Sequence, residues 1–153
     1  MYTREETAKQ KQAFWTAFGK YMQPVLSADG VRGNWINYRT GIAGIYFRMD
    51  ANAQGASIAI VLSQNDAGLR QLYYERFLQL RTVLQDVLGE QWDWHSSAQD
   101  EYGKTIARIG KGITGVNINR NEDWPEIISF LKPRIIALDE FWSMVKDGFD
   151  GVG

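Results

Sequence analysis

The stretch "ASIAIVLS", residues 56–63, predicts a strand at the centre of the fold. One side of its alternation is formed by Ala56, Ile58, Ile60 and Leu62. The other side carries Ser57, Ala59, Val61 and Ser63. Because successive side chains of a strand point to opposite faces, the first side is strongly apolar and must be covered by another part of the chain.

Two strand-like runs precede this stretch. "WINYR" at 35–39 and "IAGIYFRMD" at 42–50 flank Thr40 and Gly41, a pattern that predicts a hairpin. Together with residues 56–63 they predict a three-stranded antiparallel meander, since parallel pairing would require long crossover connections. Weaker strand candidates follow at "QWDWHS" (91–96), "KTIARI" (104–109) and "GVNINR" (115–120).

Apolar residues at helical spacing predict three main helices. The first is capped by Thr3 and ends near Pro24, and the second extends from a cap at Asn65 or Asp66 to Gly89. The last and longest occupies residues 123–147 at the C-terminal end, starting at a cap from Asp123. Pro133 lies inside its apolar stripe, so a kink or break is expected near Leu131.

These elements predict the α+β class, with an antiparallel sheet of about five to six strands in two small meander units. The whole chain, 1–153, is expected to form one domain. "GIAGIYF" at 41–47 and "GITGVNI" at 112–118 share a pattern, which is consistent with two diverged halves, 1–64 and 65–120, and a closing helix. Two independent turns that both use Gly would explain the same similarity.

Composition narrows the classes of function. With no cysteine in 153 residues, disulfides, thiolate metal sites and thiol catalysis are excluded. The N-terminal residues are charged and polar, and no apolar run approaches the roughly 20 residues of a membrane span, so a cytoplasmic protein is expected. Seventeen basic against eighteen acidic side chains leave none of the basic surplus that is typical of duplex-binding proteins.

"EQWDWHSS", residues 90–97, contains the single histidine. On a strand, Trp92 and Trp94 share one face, and Asp93 and His95 share the other. The carboxylate and imidazole form either a solvated surface pair or an acid–base pair. One histidine makes a poor metal site, and we predict no cofactor and no catalytic residue.

Arg76 lies within the apolar stripe of the second predicted helix. A guanidinium there must reach outward or meet a carboxylate, for which Asp139 is the first candidate. A structural ion pair is one interpretation, and an anion-binding pocket is another. The candidate pocket therefore comprises Arg76, Asp93, His95 and Asp139.

A cluster of basic side chains forms a second candidate site, at Lys104, Arg108, Lys111 and Arg120. Such a basic face would contact phosphate or an acidic protein, whereas a solvated face is the structural alternative. The Glu-x-Lys of restriction-type nucleases is absent, because Glu101 and Lys104 are separated by two residues.

Several stretches together resemble a bacterial domain-of-unknown-function family that is frequent in Bacteroidetes-type genomes. They are "FWTAFGKYM" (14–22), "WINYRTGIAGIYFRM" (35–49), "RQLYYERF" (70–77), "GEQWDW" (89–94), "RI" (108–109) and "IIALDEFWSMV" (135–145). The resemblance implies a protein that occurs alone or joined behind a nuclease-like domain. It implies no catalytic residues.

Three functions remain open. The first is a non-enzymatic interaction domain that binds a protein partner or a second copy of itself. The second is a small-molecule or anion binder, or a small enzyme, with the pocket named above. The third is an accessory module of a nucleic-acid-processing system. No membrane association is expected.

Overall fold

A computed structural model describes residues 3–149. Helices and strands follow one another as α1 (Arg4–Met22), β1 (Ile45–Ala51), β2 (Gly55–Leu62), α2 (Ala67–Gln79), α3 (Arg81–Leu88), β3 (Asp93–Gln99), β4 (Thr105–Thr114) and α4 (Trp124–Val145). Short 3-10 turns at Asn121–Asp123 and Lys146–Phe149 flank the last helix. The predicted α+β class and the long C-terminal helix are confirmed.

The four strands form one antiparallel sheet in the order β1-β2-β4-β3. The predicted central strand is β2, which pairs along its length with β1 on one side and β4 on the other. Its apolar side packs into the main core, where aromatic side chains from the helices, such as Phe18, Phe77 and Trp142, lie fully or almost fully buried. Helices therefore cover one face of the sheet.

The prediction of five to six strands in two meander units is wrong, because two of the strand candidates are irregular segments. In "WINYR", the Trp35 indole N–H donates to the carbonyl of Val25, and the Asn34 carboxamide oxygen accepts from the backbone N–H of Asn37. In "GVNINR", the backbone N–H of Asn117 donates to Asp123. Polar groups in these two segments thus form hydrogen bonds outside any strand pairing. The hairpin expected at Thr40–Gly41 is absent, and the first hairpin of the sheet is the one between β1 and β2.

Helix ends follow the capping chemistry in three places. Thr3 accepts from the backbone N–H of Glu6 at 3.0 Å, and Asp66 accepts from that of Leu69 at 2.9 Å. Gly89 ends α3 with φ of 70°, which an L side chain rarely adopts. Asp123 makes no such cap, since its carboxylate accepts from Asn117 instead.

The second and last predicted helices differ from expectation. In place of a single helix up to Gly89, the chain is interrupted at Leu80, which divides this region into α2 and α3. The kink or break expected near Leu131 does not divide the last helix, and α4 continues through Pro133 as one helix of 22 residues. Pro133 lies on the exposed side of α4.

The two similar glycine-containing segments lie in different surroundings. "GIAGIYF" passes from a turn into β1, whereas "GITGVNI" leaves β4 for a loop. Their second glycines, Gly44 and Gly115, have φ of 84° and 81°. The two glycines thus share a turn geometry, and the division into two diverged halves stays a prediction.

Candidate functional site on the open face of the sheet

The face of the sheet opposite the helices carries its own small apolar cluster. Ala59, Val61 and Ile106 are buried there, with Ala98 packed beside them. All four belong to strands, and the cluster is separate from the main core. We call this side of the sheet the open face.

Strand register arranges the open face in rows that cross the sheet. One row is formed by Tyr46, Val61, Arg108 and His95. The next row is formed by Arg48, Ala59, Gly110 and Asp93. Small residues at the middle of the second row leave a groove of about 820 Å³, bounded by residues 36–39 on one side and residues 99–102 on the other.

Arg108 lies flat within this groove. A Cβ built on Gly110 would stand 2.4 Å from Nη1, 2.6 Å from Cζ and 2.9 Å from Nη2 of Arg108. These similar distances show that the guanidinium plane faces the sheet, over a position that only glycine leaves vacant. The other side of the plane faces the groove.

Arg48 and Tyr46 form the rim of the groove on β1. The guanidinium carbon of Arg48 lies 4.5 Å from the centre of the Tyr46 ring, a cation–π contact. Within residues 3–149, no carboxylate lies within 4 Å of the guanidinium of Arg48 or Arg108. The hydrogen-bonding capacity of both groups therefore remains available to a ligand.

Tyr102 stands at the opposite rim, in the turn between β3 and β4, with 87% of its surface exposed. One carboxylate oxygen of Asp100 accepts from the backbone N–H groups of Tyr102 and Lys104, each at 2.9 Å. Gly103 completes the turn with φ of 80°. A well-bonded turn thus holds an aromatic ring in solvent beside the groove.

Two of the acidic groups that line the groove have partners. Asp50 lies 3.8 Å from the ammonium of Lys11, and Asp100 is held by the turn. The third, Glu101, is exposed in the turn between β3 and β4, and Asp93 is exposed on β3. The β1, β2 and β4 part of the groove is therefore the more cationic part.

The structure does not bring the predicted pocket together. Asp93 and His95 are exposed on the open face. Trp94 lies on the core face beside its register partner Ile109, as strand alternation predicted. Asp139 is 4% exposed on α4, on the helical side of the sheet. Arg76 donates to Gln79 on its own helix, at 3.4 Å, and does not pair with Asp139.

Asp139 is paired with Tyr38, which sequence reasoning missed. The Tyr38 hydroxyl and the backbone N–H of Ala28 each donate to its carboxylate at 2.6 Å. Burial, together with the hydrogen bond and charge of Asp139, raises the pKa of Tyr38. These contacts attach the segment between α1 and β1 to α4. No local signal connects residues a hundred positions apart.

A second missed cluster is centred on Glu90. Its carboxylate accepts from Arg134 at 2.8 and 2.9 Å, and from the Trp92 indole at 2.8 Å. Burial by itself would raise the pKa of Glu90, but the hydrogen bonds from Arg134 and Trp92 outweigh it and lower that pKa. Glu90 is thus a structural ion-pair partner on the helical side.

The predicted basic face is also divided. Arg108 lies on the open face, whereas Lys111 pairs in register with Ile58 on the opposite face. Arg120 lies beyond β4 and contacts Glu122 at 3.1 Å. Lys104 donates to the carbonyl of Ser63 at 2.7 Å. Of the four, Arg108 alone lies on the floor of the groove.

Metal-binding clusters and membrane spans are both absent from the part of the chain between residues 3 and 149. No group of three His, Asp or Glu side chains in that part is placed to hold a metal ion. No helix there has the length and apolar composition of a membrane span.

Fold and site together define an α+β protein with helices on one face of a four-stranded antiparallel sheet and an arginine-bearing groove on the other. The chain belongs to the family described as "Domain of unknown function (DUF4268)", which matches residues 10–146. This confirms the resemblance at the level of a domain-of-unknown-function family. No curated protein and no solved structure matches the chain.

Proposed function

We propose that this protein is a non-enzymatic interaction domain that binds a partner molecule in the groove of the open face. The observation that carries the proposal is the half-buried guanidinium of Arg108, which lies over Gly110 without an ion-pair partner among the described residues. Arginine and tyrosine are, with tryptophan, the side chains that most often dominate binding interfaces. Both occur here around an apolar floor.

Stability alone does not account for this arrangement. A glycine inside a strand is unfavourable by roughly 0.5–1 kcal/mol relative to alanine. Gly110 nevertheless occupies a central strand, where it makes space for a cation that gains no described salt bridge. A local arrangement that does not favour the fold is the kind that a binding role explains.

The non-enzymatic part of the proposal rests on the positions of Asp93 and His95. They are the one carboxylate–imidazole combination that the sequence offers for proton transfer, and both are exposed on the edge strand β3. General acid–base catalysis works best in a cleft where the environment tunes the pKa of the acting groups. An exposed edge supplies little of that environment.

Site-specific photo-crosslinking tests the proposal even while the partner is unidentified. A photoreactive phenylalanine analogue replaces Tyr102 in cells that express the chain. In a matched variant it replaces Tyr21, a 53% exposed tyrosine on α1 that does not line the groove. We expect crosslinked products at position 102 and few at position 21. Equal yields at both positions, or none at position 102, would refute the proposal.

A further inference from the structure

We infer that the occupant of the groove is a single strand of nucleic acid. This inference rests on the proposed function and gives its partner a chemical class. Proteins that bind single strands combine a cationic groove for the phosphates with flat π surfaces on which the bases stack. The open face supplies both features.

The flat surfaces are the rings of Tyr102 and Tyr46 and the guanidinium of Arg108. Tyr102 is 87% exposed and Tyr46 is 40% exposed, on opposite sides of the groove. Between them, the Arg108 plane faces the sheet over Gly110, so its free side is presented to the groove. Arginine planes and tyrosine rings both stack on bases.

The cations are Arg39, Arg48 and Arg108, which all line the groove. Arg48 and Gly110 stand two strands apart in the same row, about 10 Å by strand spacing. Asp50 is compensated by Lys11, at 3.8 Å. Positive charge is thus available along the β1–β4 part of the groove.

Charge complementarity favours a single strand over a duplex. A duplex presents a dense array of phosphates, and proteins that bind it carry a broad basic surplus. This chain has a net charge of −1, and Arg39, Arg48 and Arg108 are the arginines that line the groove. An unpaired strand needs few phosphate contacts because its exposed bases provide stacking energy. An acidic peptide would satisfy the arginines but would leave the exposed tyrosines without a stacking partner.

Fluorescence anisotropy with labelled twelve-nucleotide oligo-dT and oligo-U tests the inference on the full chain. We expect saturable binding of at least one of the two at low salt, and the comparison distinguishes DNA from RNA. With three phosphate contacts, affinity should fall roughly 20-fold between 50 and 200 mM salt, because the slope for single strands is about −0.7 per contact.

Matched variants locate the binding site. Tyr102→Ala should weaken binding about five-fold or more, whereas Tyr21→Ala should leave it unchanged. Arg108→Ala should also weaken binding, in contrast to Arg76→Ala on α2. Gly110→Ala keeps every charge but displaces the guanidinium from the sheet, so it should weaken binding while the free energy of unfolding falls by no more than about 1 kcal/mol.

Several outcomes would overturn the inference. A twelve-base-pair duplex that binds as tightly as the single strands would indicate unspecific attraction of a polyanion. A poly-glutamate peptide that binds equally well would identify an acidic polypeptide as the occupant. Absence of binding to either oligonucleotide would remove nucleic acid altogether. In each case the crosslinking yields at positions 102 and 21 still test the proposed function. Nuclease treatment tests the inference independently, because it should shorten the crosslinked product if the partner is a nucleic acid.

Discussion

Gly55 is predicted to be the glycine that the sheet tolerates least when it is replaced. It begins β2 and pairs with Thr114 at the end of β4. A Cβ at this position would stand 2.0 Å from the carbonyl oxygen of Ile113, which is backbone of the paired strand. In Gly55→Ala the two strands must therefore separate by more than 1 Å to restore van der Waals distance.

The expected loss follows from the hydrogen bonds at this end of the sheet. Separation would strain the bond from Gly115 N–H to the carbonyl of Gln54, at 3.1 Å, and the last pair of the β2–β4 ladder. Two to three hydrogen bonds contribute about 2–3 kcal/mol, and the lower entropy of the unfolded alanine chain offsets up to about 1 kcal/mol. Gly55→Ala should therefore lower the free energy of unfolding by about 2 kcal/mol.

Urea denaturation followed by tryptophan fluorescence measures this difference, and a decrease in melting temperature of roughly 4–8 °C should accompany it. Gly110→Ala is the control, because the three atoms nearest to its Cβ all belong to the flexible end of Arg108. The control should be within about 1 kcal/mol of the wild type, or more stable. A wild-type stability for Gly55→Ala, or an equal loss in both variants, would refute the reasoning.

Three further changes probe the helical side by the same measurements. Glu90→Gln should lower the free energy of unfolding at neutral pH by about 1–3 kcal/mol, because the ion pair with Arg134 is lost. The folded-state pKa of Glu90 is lowered, so the stability that its carboxylate contributes is fully present above the ordinary pKa of 4.5 and is lost as pH falls through the folded-state pKa. A stability difference between Glu90→Gln and the wild type that persists in strong acid would contradict this. Tyr38→Phe should cost about 1–3 kcal/mol, since Asp139 loses one of its two described donors, and an unchanged stability would argue against a structural role for this bond. Pro133→Ala should stabilise the protein by about 1 kcal/mol or more, because the exposed proline lacks the N–H that an interior helical residue donates; a destabilised variant would show that the ring packs favourably.

The sequence predicted the central strand and three of the helix caps because these depend on neighbouring residues. Alternation in residues 56–63 identified which side of β2 enters the core. The same rule placed Asp93 and His95 opposite Trp94. Thr3, Asp66 and Gly89 were recognisable because a cap is satisfied within one helical turn.

The irregular segment around "WINYR" could not be distinguished from a strand in this way. Its aromatic and β-branched residues have high strand propensity, which depends strongly on context. The decision was made by distant partners, since Tyr38 bonds to Asp139 on α4 and Trp142 donates to the carbonyl of Thr40. Such contacts require α4 to be packed on the sheet.

Local sequence patterns could not predict the groove either, because its residues come from strands that are distant in the sequence. The predicted basic face included Arg108 and Lys111 because they are close in the sequence, but the sheet places the two side chains on opposite faces. Helical periodicity grouped Arg76 with Asp139, although Tyr38 occupies that carboxylate.

Local chemistry thus determined the central strand, the helix ends at Thr3, Asp66 and Gly89, and the faces of β2 and β3, because alternation and capping act within a few residues. Tertiary structure decided the strand order, the buried pairs and the space over Gly110 that holds Arg108. Those features require register and packing between segments that are tens of residues apart, and no single stretch of the chain encodes them.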